Sequence, residues 1–401
     1  MLDAYLYAGL RTPIGRHGGN LADVRADDLL AGVIRTLLSQ HSSLDCADIE
    51  DVVVGCAGQA GEDSRNVGRH AALLAGLPVS VPGQTVNRLC GSGLAAVLDC
   101  ARAVHAGEGN WYLAGGVESM TRAPFTVAKA ETAFSREFQV FDTTIGARFP
   151  NPALIARYGN DNMAQTADNV AAELGIGRDA SDRFAADSQA KYARAHAAGF
   201  YAGEIAPVQL PASRRAPARL IDSDEHPRAD TDLARLAALK PLTPGGVVTA
   251  GNASGINDGA AALLIGSRAA GECASMAPLA RILAGAVCGV EPRIMGVGPA
   301  YAIPRALARA GLTLAEVDVI EINEAFAPQV LGCLHLLGLS ADDTRLNPHG
   351  GAIALGHPLG ASGARLVLTA ARTLQRSGGR YAVVSLCIGV GQGIAVVLER
   401  V

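Results

Sequence analysis

The segment VNRLCGSGLAAVLDCAR, residues 86–102, contains the features from which the architecture of this chain can be read. A cysteine, Cys90, stands where a Gly-Ser-Gly turn leads into a helix with one apolar side. A helix N-terminus offers unpaired N–H groups and partial positive charge, so it favours the thiolate form of Cys90. Glycines on both sides of Ser92 leave room for another molecule to approach closely. Taken alone, however, an isolated cysteine is more often a buried and inert hydrophobic residue.

The same segment recurs near the other end of the chain. Residues 91–102 align without a gap to residues 361–372, a constant offset of 270 residues. The same offset carries the strand-like run 111–113 onto 381–383. A fixed offset over a helix, a turn and the following strand is difficult to obtain by chance. The pattern therefore predicts an internal duplication, in which two similar α/β halves pack on each other.

The order of predicted elements divides the chain into three parts. Short apolar strands alternate with amphipathic helices up to about residue 120, a pattern typical of an α/β layered sheet. Proline, aromatic and polar residues then become more frequent, and strand-like runs return at 247–249 and 261–265. We therefore predict an N-terminal half made of 1–120 and 245–270, an inserted α-rich domain over 121–244, and a C-terminal half over 271–401.

Composition excludes several classes of protein. Of the 401 residues, 49% are hydrophobic and 18% are charged, as in a well-buried globular enzyme. The net charge of −4 and the lack of a basic run argue against a nucleic-acid surface. The eight cysteines form no C-x-x-C pair, so we expect no metal site and reduced thiols. No signal peptide or membrane-spanning run is evident, and we expect a cytoplasmic protein without a membrane partner.

Four residues whose side chains could take part in catalysis lie at comparable places in the two halves. Asn323 and Cys387 each stand at the end of a predicted strand of the C-terminal half. His357 precedes the repeated helix, close to where Cys90 precedes its own helix. Ligands of α/β sheets collect at the carboxyl ends of the strands. Two packed halves are therefore predicted to bring these four residues to one site.

Five motifs, in this order along the chain, resemble those of the thiolase family. They are 87–93, the glycine-rich segment around Ser254, 323–326, 356–358 and 387–389. The resemblance covers essentially the whole chain, and it implies a five-layer α-β-α-β-α fold in which residues 121–244 are the family's loop domain. It also implies CoA thioesters as substrates, no bound cofactor, and a homodimer or homotetramer.

The resemblance implies a role for each residue of the site. Cys90 would be the nucleophile that takes up the acyl group, and His357 the base that activates it. Cys387 would protonate the acetyl-CoA enolate and, in the reverse direction, act as the base. His357 and a water held by Asn323 would stabilise the enolate oxygen. The backbone N–H groups of Cys90 and Gly389 would hold the tetrahedral oxyanion.

Residues around this centre are expected to bind the substrate. Ser254 matches the position that contacts the pantetheine arm of CoA. Phe326, Met163 and Met295 match positions that line the acyl pocket, although ordinary core packing would suit these three side chains equally well. His349 stands where the family more often has asparagine, and we expect a structural substitution there.

Two further segments narrow the resemblance within the family. Residues 58–67 and 142–149 resemble the 3-oxoadipyl-CoA thiolase subgroup of aromatic catabolism. In addition, residues 162–163 read Asn-Met, where biosynthetic acetoacetyl-CoA thiolases carry a His-Met pair. A substrate that ends in a carboxylate needs a cation in the acyl pocket. Arg148 and Arg157 are the candidates, although solvation at the surface is the ordinary fate of either side chain.

Other readings of the sequence stay open at this point. A general acetyl-CoA C-acetyltransferase would use the same residues. A catalytically inactive CoA-binding homologue would retain the fold, but the presence of all four site residues argues against it. Residues 91–96 also fit a relaxed G-x-G-x-x-A pattern of NAD-dependent oxidoreductases, without a convincing strand directly before it. A papain-like hydrolase would leave Cys387 without a role.

Overall fold

The computed structural model describes residues 1–212 and 217–401. The strands are β1 (Ala4–Arg11), β2 (Gly15–Arg16), β3 (Ile49–Gly55), β4 (Gly83–Val86), β5 (Trp111–Ser119), β6 (Phe125–Val127), β7 (Val140–Asp142), β8 (Val208–Leu210), β9 (Arg219–Ile221), β10 (Asn257–Gly266), β11 (Ala280–Gly289), β12 (Val319–Ile322), β13 (Tyr381–Ile388) and β14 (Gln392–Glu399). The α-helices are α1 (Ala26–Ser39), α2 (Val67–Ala75), α3 (Ser92–Ala106), α4 (Pro152–Tyr158), α5 (Met163–Leu174), α6 (Arg178–Ala197), α7 (Leu233–Ala237), α8 (Arg268–Cys273), α9 (Gly298–Ala310), α10 (Ala327–Leu337), α11 (Ala352–Leu355) and α12 (Leu359–Ser377). Short 3₁₀ turns span Cys46–Asp48, Tyr201–Gly203, Pro292–Val297 and Leu314–Glu316. Within the two described ranges, no helix combines the length and the apolar composition needed to cross a bilayer.

One large sheet contains the strands of both halves, in the order β4-β3-β5-β10-β1-β11-β14-β13-β12. In the first half, β3 runs parallel to β4 and β5, whereas β10 runs antiparallel to β5 and β1. In the second half, β12 runs parallel to β13, whereas β14 runs antiparallel to β13 and β11. An isolated parallel bridge between Ile320 and Leu346 stands where β4 stands in the first half. The order therefore reads alike from either end towards the β1–β11 pair, which confirms the predicted duplication.

Two helices lie between the two halves of this sheet, and other helices cover the outer face of each half. Apolar side chains of α3 and α12, such as Leu94 and Leu366, form one buried cluster with Leu263 of β10 and Val384 of β13. Helices α1 and α2 pack on the other face of the first half. Helices α9 and α10 pack on the other face of the second half. The layers are therefore α-β-α-β-α, as the family resemblance implied.

The two central helices, α3 and α12, cross at glycine residues. A Cβ atom on Gly93 would lie 2.5 Å from the carbonyl oxygen of Gly360, and one on Gly363 would overlap the backbone nitrogen of Leu94. Gly93 and Gly363 occupy equivalent positions of the repeat. Only glycine permits so close an approach of two backbones. The crossing brings the N-terminal ends of α3 and α12 together.

A buried ion-pair network joins the segment between β5 and β10 to the sheet. Arg11, the last residue of β1, donates from Nε to Glu204 Oε1 and from Nη1 to Asp224 Oδ1, both at 2.7 Å. All three side chains are at most 1% exposed. The segment itself contains α4–α7 and the hairpins β6–β7 and β8–β9. Its definition as a separate inserted domain over 121–244, and the other domain boundaries, stay predictions.

The expectation of a strand at 247–249 is wrong. Within these residues only Thr249 makes an isolated bridge, to Pro241. The N–H groups of Val247 and Val248 donate to Asp168 Oδ1 at 2.8 and 3.0 Å. A carboxylate of α5 thus satisfies the backbone donors that a strand would have offered to a neighbouring strand.

Candidate active site

Cys90 lies in a strained turn between β4 and α3. The preceding residue, Leu89, has φ of +47°, a left-handed conformation that costs free energy for a side chain of this size. Its N–H donates to Asn87 Oδ1 at 2.9 Å. Ser92 Oγ accepts the Arg88 N–H at 2.8 Å and donates to the Leu89 carbonyl at 2.6 Å. These bonds fix the backbone that carries the cysteine.

The Cys90 thiol is protonated in the resting protein. Desolvation raises its pKa to about 11, and the buried carboxylate of Glu118 adds to this effect. The N–H groups of Gly389 and of Cys90 itself donate to the sulfur and favour the thiolate, but by less. The backbone N–H groups thus favour the thiolate, in the direction expected of a helix N-terminus, but desolvation outweighs them. The two N–H groups act on the sulfur, and their role as an oxyanion hole stays a prediction.

His357 is a buried, uncharged imidazole whose tautomer can be assigned. Its Nδ1 lies 2.6 Å from Ser362 Oγ, and Ser362 Oγ donates to the Pro358 carbonyl at 2.9 Å. A carbonyl can only accept, so the hydroxyl proton points at Pro358 and His357 Nδ1 carries its own proton. Nε2 is then free to accept a proton. Desolvation, with a smaller contribution from Arg365, lowers the pKa of His357 to about 3.

The backbone of His357 is held by a residue of the other half. Asn257, the first residue of β10, accepts the His357 N–H at 2.9 Å and donates from Nδ2 to the Gly15 carbonyl at 2.9 Å. Gly356 has φ of +102°, and a Cβ atom there would lie 2.5 Å from Asn257 Cγ. Glycine is therefore required before the histidine, for conformation and for space.

Asn323 presents its side-chain amide to the imidazole. Its Nδ2 lies 3.4 Å from His357 Nε2, and its backbone N–H donates to the Ser385 carbonyl at 2.9 Å. The residue is fully buried, and its Oδ1 has no hydrogen-bond partner among the described residues. A buried amide oxygen without a donor is costly. Asn323 thus offers an unused acceptor next to the base.

Cys387, near the end of β13, is a fully buried thiol. Desolvation raises its pKa well above the ordinary range, and the sulfurs of Cys90 and Cys333 add to the effect. The proximity of Cys90 brings two protonated thiols together, one from each half of the fold. A thiol that keeps its proton in this way can act as an acid.

The predicted pocket residues surround Cys387. Cys387 and Met295 belong to one small apolar cluster, against which Met163 and Phe326 pack. A Cβ atom on Gly389 would lie 3.8 Å from Met163 Sδ, so the pocket extends to the turn after β13. These residues come from α5, a 3₁₀ turn, the start of α10 and β13, and the structure brings them together beside the two thiols.

Ser254 adjoins the same pocket. Its N–H donates to the Ala325 carbonyl at 2.9 Å, and the neighbouring Ala253 bridges Phe326 in antiparallel fashion. Ser254 is only partly buried. It therefore lies at the accessible side of the pocket, where a substrate arm could enter.

Arg148 is connected to the Cys90 turn through one carbonyl. Its Nη2 donates to the carbonyls of Gly58 at 2.6 Å and Ala57 at 3.3 Å. The Ala57 carbonyl also accepts from Asn87 Nδ2 at 3.2 Å. In the described part of the chain, no carboxylate pairs with Arg148, whereas Arg157 is exposed on α4. The two segments that resemble the 3-oxoadipyl-CoA subgroup are thus in direct contact at Arg148.

Sequence reasoning missed a buried carboxylate that braces the site. Glu118, near the end of β5, accepts the N–H groups of Ala57, Gly58 and Gly360 at 3.0, 2.8 and 2.9 Å. It thereby ties the loop after β3 to the first turn of α12. An acidic residue near the carboxyl end of a buried strand is a signal that could have found it. Ser362, which lies in the repeated segment 361–372, was missed as the hydrogen-bond partner of His357.

Two departures from the family pattern have structural explanations. The ring of His349 stacks on Phe200 with centroids 3.7 Å apart, away from the imidazole of His357. Asn162 caps α5, because its Oδ1 accepts the Gln165 N–H at 3.0 Å and Gln165 bonds back to the Asn162 N–H.

Comparisons with known proteins agree on one family. Residues 5–269 match "Thiolase, N-terminal domain" and residues 276–400 match "Thiolase, C-terminal domain". A beta-ketoadipyl-CoA thiolase of Acinetobacter baylyi is 57% identical over 402 residues, with 100% of both chains covered. A 3-oxoadipyl-CoA/3-oxo-5,6-dehydrosuberyl-CoA thiolase of Escherichia coli is 56% identical over 402 residues, again covering 100% of both. Human mitochondrial 3-ketoacyl-CoA thiolase has a TM-score of 0.91 at 38% identity, covering 100% of this chain and 99% of that chain.

Proposed function

The chain belongs to the thiolase family of acyltransferases, and we propose that it cleaves 3-oxoadipyl-CoA with CoA to give succinyl-CoA and acetyl-CoA. The proximity of two protonated thiols, Cys90 and Cys387, is the observation that carries the proposal. The full-length identity to relatives named for this substrate supports the choice of acyl chain.

The reaction begins with proton transfer from Cys90 to His357 Nε2. The resulting thiolate attacks the keto carbon C3, and a sulfur–carbon bond forms while the carbonyl electrons move to oxygen. The N–H groups of Cys90 and Gly389 stabilise this oxyanion. Because both donors belong to fixed backbone, they need no reorganisation when the charge develops.

Collapse of the tetrahedral intermediate then breaks the C2–C3 bond. The succinyl group stays on Cys90, and the electron pair of the broken bond passes into the enolate of acetyl-CoA. His357, now protonated on Nε2, donates to the enolate oxygen, together with a water held by Asn323. Cys387 gives its proton to C2, and acetyl-CoA leaves.

The second half of the reaction restores the enzyme. The thiol of the incoming CoA gives its proton to the Cys387 thiolate, and its sulfur attacks the acyl carbon. The bond from that carbon to Cys90 breaks, succinyl-CoA leaves, and His357 returns the proton to Cys90. Ser254 would hold the pantetheine arm, while Met163, Met295 and Phe326 would line the acyl pocket.

The proposal also covers the substrates, the oligomeric state and the cellular compartment of the protein. CoA thioesters act as substrates and no bound cofactor takes part in the steps above. We propose a homodimer or homotetramer, as in the sequence-based expectation. All eight cysteines are free thiols, which suits a reducing compartment such as the cytoplasm.

An NAD-dependent oxidoreductase is disfavoured by the packing around residues 91–96. A Cβ atom on Gly91 would lie 2.7 Å from Ile388 Cδ1, and one on Gly93 would lie 2.5 Å from the Gly360 carbonyl. Both glycines therefore accommodate other parts of this chain. They leave no room for a pyrophosphate at this turn.

Steady-state thiolysis of 3-oxoadipyl-CoA and acetoacetyl-CoA, measured side by side, tests the proposal. We expect a strong preference for 3-oxoadipyl-CoA, and a loss of about 10⁴-fold or more in Cys90→Ala, because the nucleophile is absent. Equal cleavage of both substrates would favour a general acetyl-CoA C-acetyltransferase. No cleavage of either would refute the proposed activity and favour a CoA-binding homologue without catalysis.

A further inference from the structure

Arg365, on the second turn of α12, is a buried cation that the reaction above does not use. Its side chain is 2% exposed, and Nε, Nη1 and Nη2 have no hydrogen-bond partner among the described residues. A guanidinium carries five N–H donors, and burial without partners is strongly unfavourable. Packing alone does not account for such a residue.

Arg365 shares a small cavity with the partner of the base. The cavity has a volume of about 10 Å³, and its lining includes Arg365, Ser362, Thr12 and Arg11. Such a volume admits one water-sized molecule. Ser362 Oγ already accepts from His357 Nδ1 and donates to a carbonyl, which leaves one lone pair. A molecule in the cavity can accept from the guanidinium and donate to that lone pair.

Several other charged and titratable groups lie around the imidazole and Arg365. Glu321 of β12 has both carboxylate oxygens unpartnered among the described residues; desolvation raises its pKa to about 8, and the Arg365 charge opposes this rise by less. Glu118 of β5 and Glu324 after β12 are each engaged by three donors. Cys90 and Cys387 are protonated thiols. After desolvation, the Arg365 charge lowers the pKa of His357, and Arg11, paired with Glu204 and Asp224, is a second buried cation at the same cavity.

We propose that Arg365 is a positioning residue for His357. Through Ser362 and the shared cavity it keeps the imidazole proton on Nδ1, so that Nε2 can accept the Cys90 proton, and its charge adds to the desolvation that disfavours the imidazolium. The inference rests on the proposed function, because that function makes His357 the proton acceptor.

Titration of His357 by NMR tests the proposal without any turnover. The full-length protein is labelled with ¹³C at histidine Cε1, and the His357 resonance is identified as the one missing in His357→Asn. We expect the midpoint of this resonance to rise by about one pH unit in Arg365→Met, because a nearby like charge shifts a pKa by about 1–3 units. Arg365→Lys keeps the charge and should leave the midpoint unchanged. Arg376→Met, which removes an exposed arginine of the same helix, is the matched control.

The kinetic arm uses the pH profile of kcat/KM for thiolysis. Arg365→Met should move the acid limb of the profile to higher pH, whereas Arg365→Lys and Arg376→Met should leave it in place. Glu321→Gln removes the Glu321 carboxyl and so shows whether titration of that group contributes to the acid limb. Ser362→Ala should lower kcat by about 10–100-fold with little change in KM, as loss of a residue that orients an imidazole does.

The outcomes separate the inference from the proposed function. An unchanged His357 midpoint in folded Arg365→Met, or an equal shift in Arg365→Lys, would overturn the inference even if thiolysis is normal. If Arg365→Met does not fold, an unchanged kcat in Ser362→Ala would overturn it. A wild-type protein without thiolase activity would refute the proposed function, while the NMR titration would still report on Arg365.

Discussion

At the scale of single residues, burial favours the uncharged forms of both Cys90 and His357. Burial raises the pKa of the Cys90 thiol to about 11 and lowers the pKa of the imidazole to about 3. Burial therefore disfavours a preformed thiolate–imidazolium pair. In the proposed mechanism the thiolate forms only as it attacks the substrate, and the Cys90 and Gly389 N–H groups then stabilise the oxyanion.

Arg148 provides a residue-scale prediction on specificity. Arg148→Ala should lower kcat/KM for 3-oxoadipyl-CoA by about 10–100-fold relative to acetoacetyl-CoA, because a charged hydrogen bond to the substrate carboxylate contributes about 1.5–3 kcal/mol. Steady-state kinetics with both substrates measures the ratio. Arg157→Ala, an exposed arginine of α4, is the control and should leave the ratio unchanged. An unaltered ratio in Arg148→Ala would remove Arg148 from the acyl pocket.

At the scale of elements, the crossing of α3 and α12 depends on the absence of side chains. Gly363→Ala should lower the free energy of unfolding by about 1–3 kcal/mol, because the new methyl group overlaps the backbone of Leu94. Gly32→Ala in α1 is the matched control, since no atom lies within 4 Å of its added Cβ. It should instead raise stability by about 0.5–1 kcal/mol. Denaturant unfolding at fixed protein concentration measures both, and equal effects would contradict the crossing geometry.

The elements also show what a sequence can and cannot predict. Helices α3 and α12 and strands β5 and β13 were predictable, because one repeat unit occurs twice with a constant offset. Strand β11 was not, because it contains three alanines and two glycines, which have low strand propensity. Cys90 and His357 could be identified from local motifs. The hydrogen bond from His357 to Asn257 joins residues 100 positions apart, and no local pattern announces such a contact.

At the scale of the whole molecule, buried histidines make stability depend on pH. The pKa of His349 falls to about 4 by desolvation, whereas an unfolded histidine titrates near 6.5. Below about pH 6.5 the unfolded chain therefore binds one proton more at this residue, and acidification lowers stability. Since His349 is partly exposed, we expect this residue to lower the free energy of unfolding by about 1 kcal/mol from pH 7 to pH 5.

The variant His349→Asn tests this pH dependence. From pH 7 to pH 5, its free energy of unfolding should fall by about 1 kcal/mol less than that of the wild type, because asparagine does not titrate. This difference does not depend on the stability of the variant at pH 7. Denaturant unfolding at the two pH values measures the difference. His335→Asn, which removes an exposed histidine of α10, should show the wild-type dependence. An identical dependence in all three proteins would mean that His349 is not held neutral by burial.

The mirrored strand order has a consequence for the ancestry of the active site. In the repeat, the counterpart of Cys90 is Gly360 and the counterpart of His357 is Asn87. Two identical halves would have presented each chemical group twice, on symmetry-related edges. The chain carries each group once, and the equivalent positions serve other purposes, such as the Asn87 side chain that holds the turn before Cys90. The candidate active site therefore draws on both halves, and neither half alone contains all of its residues.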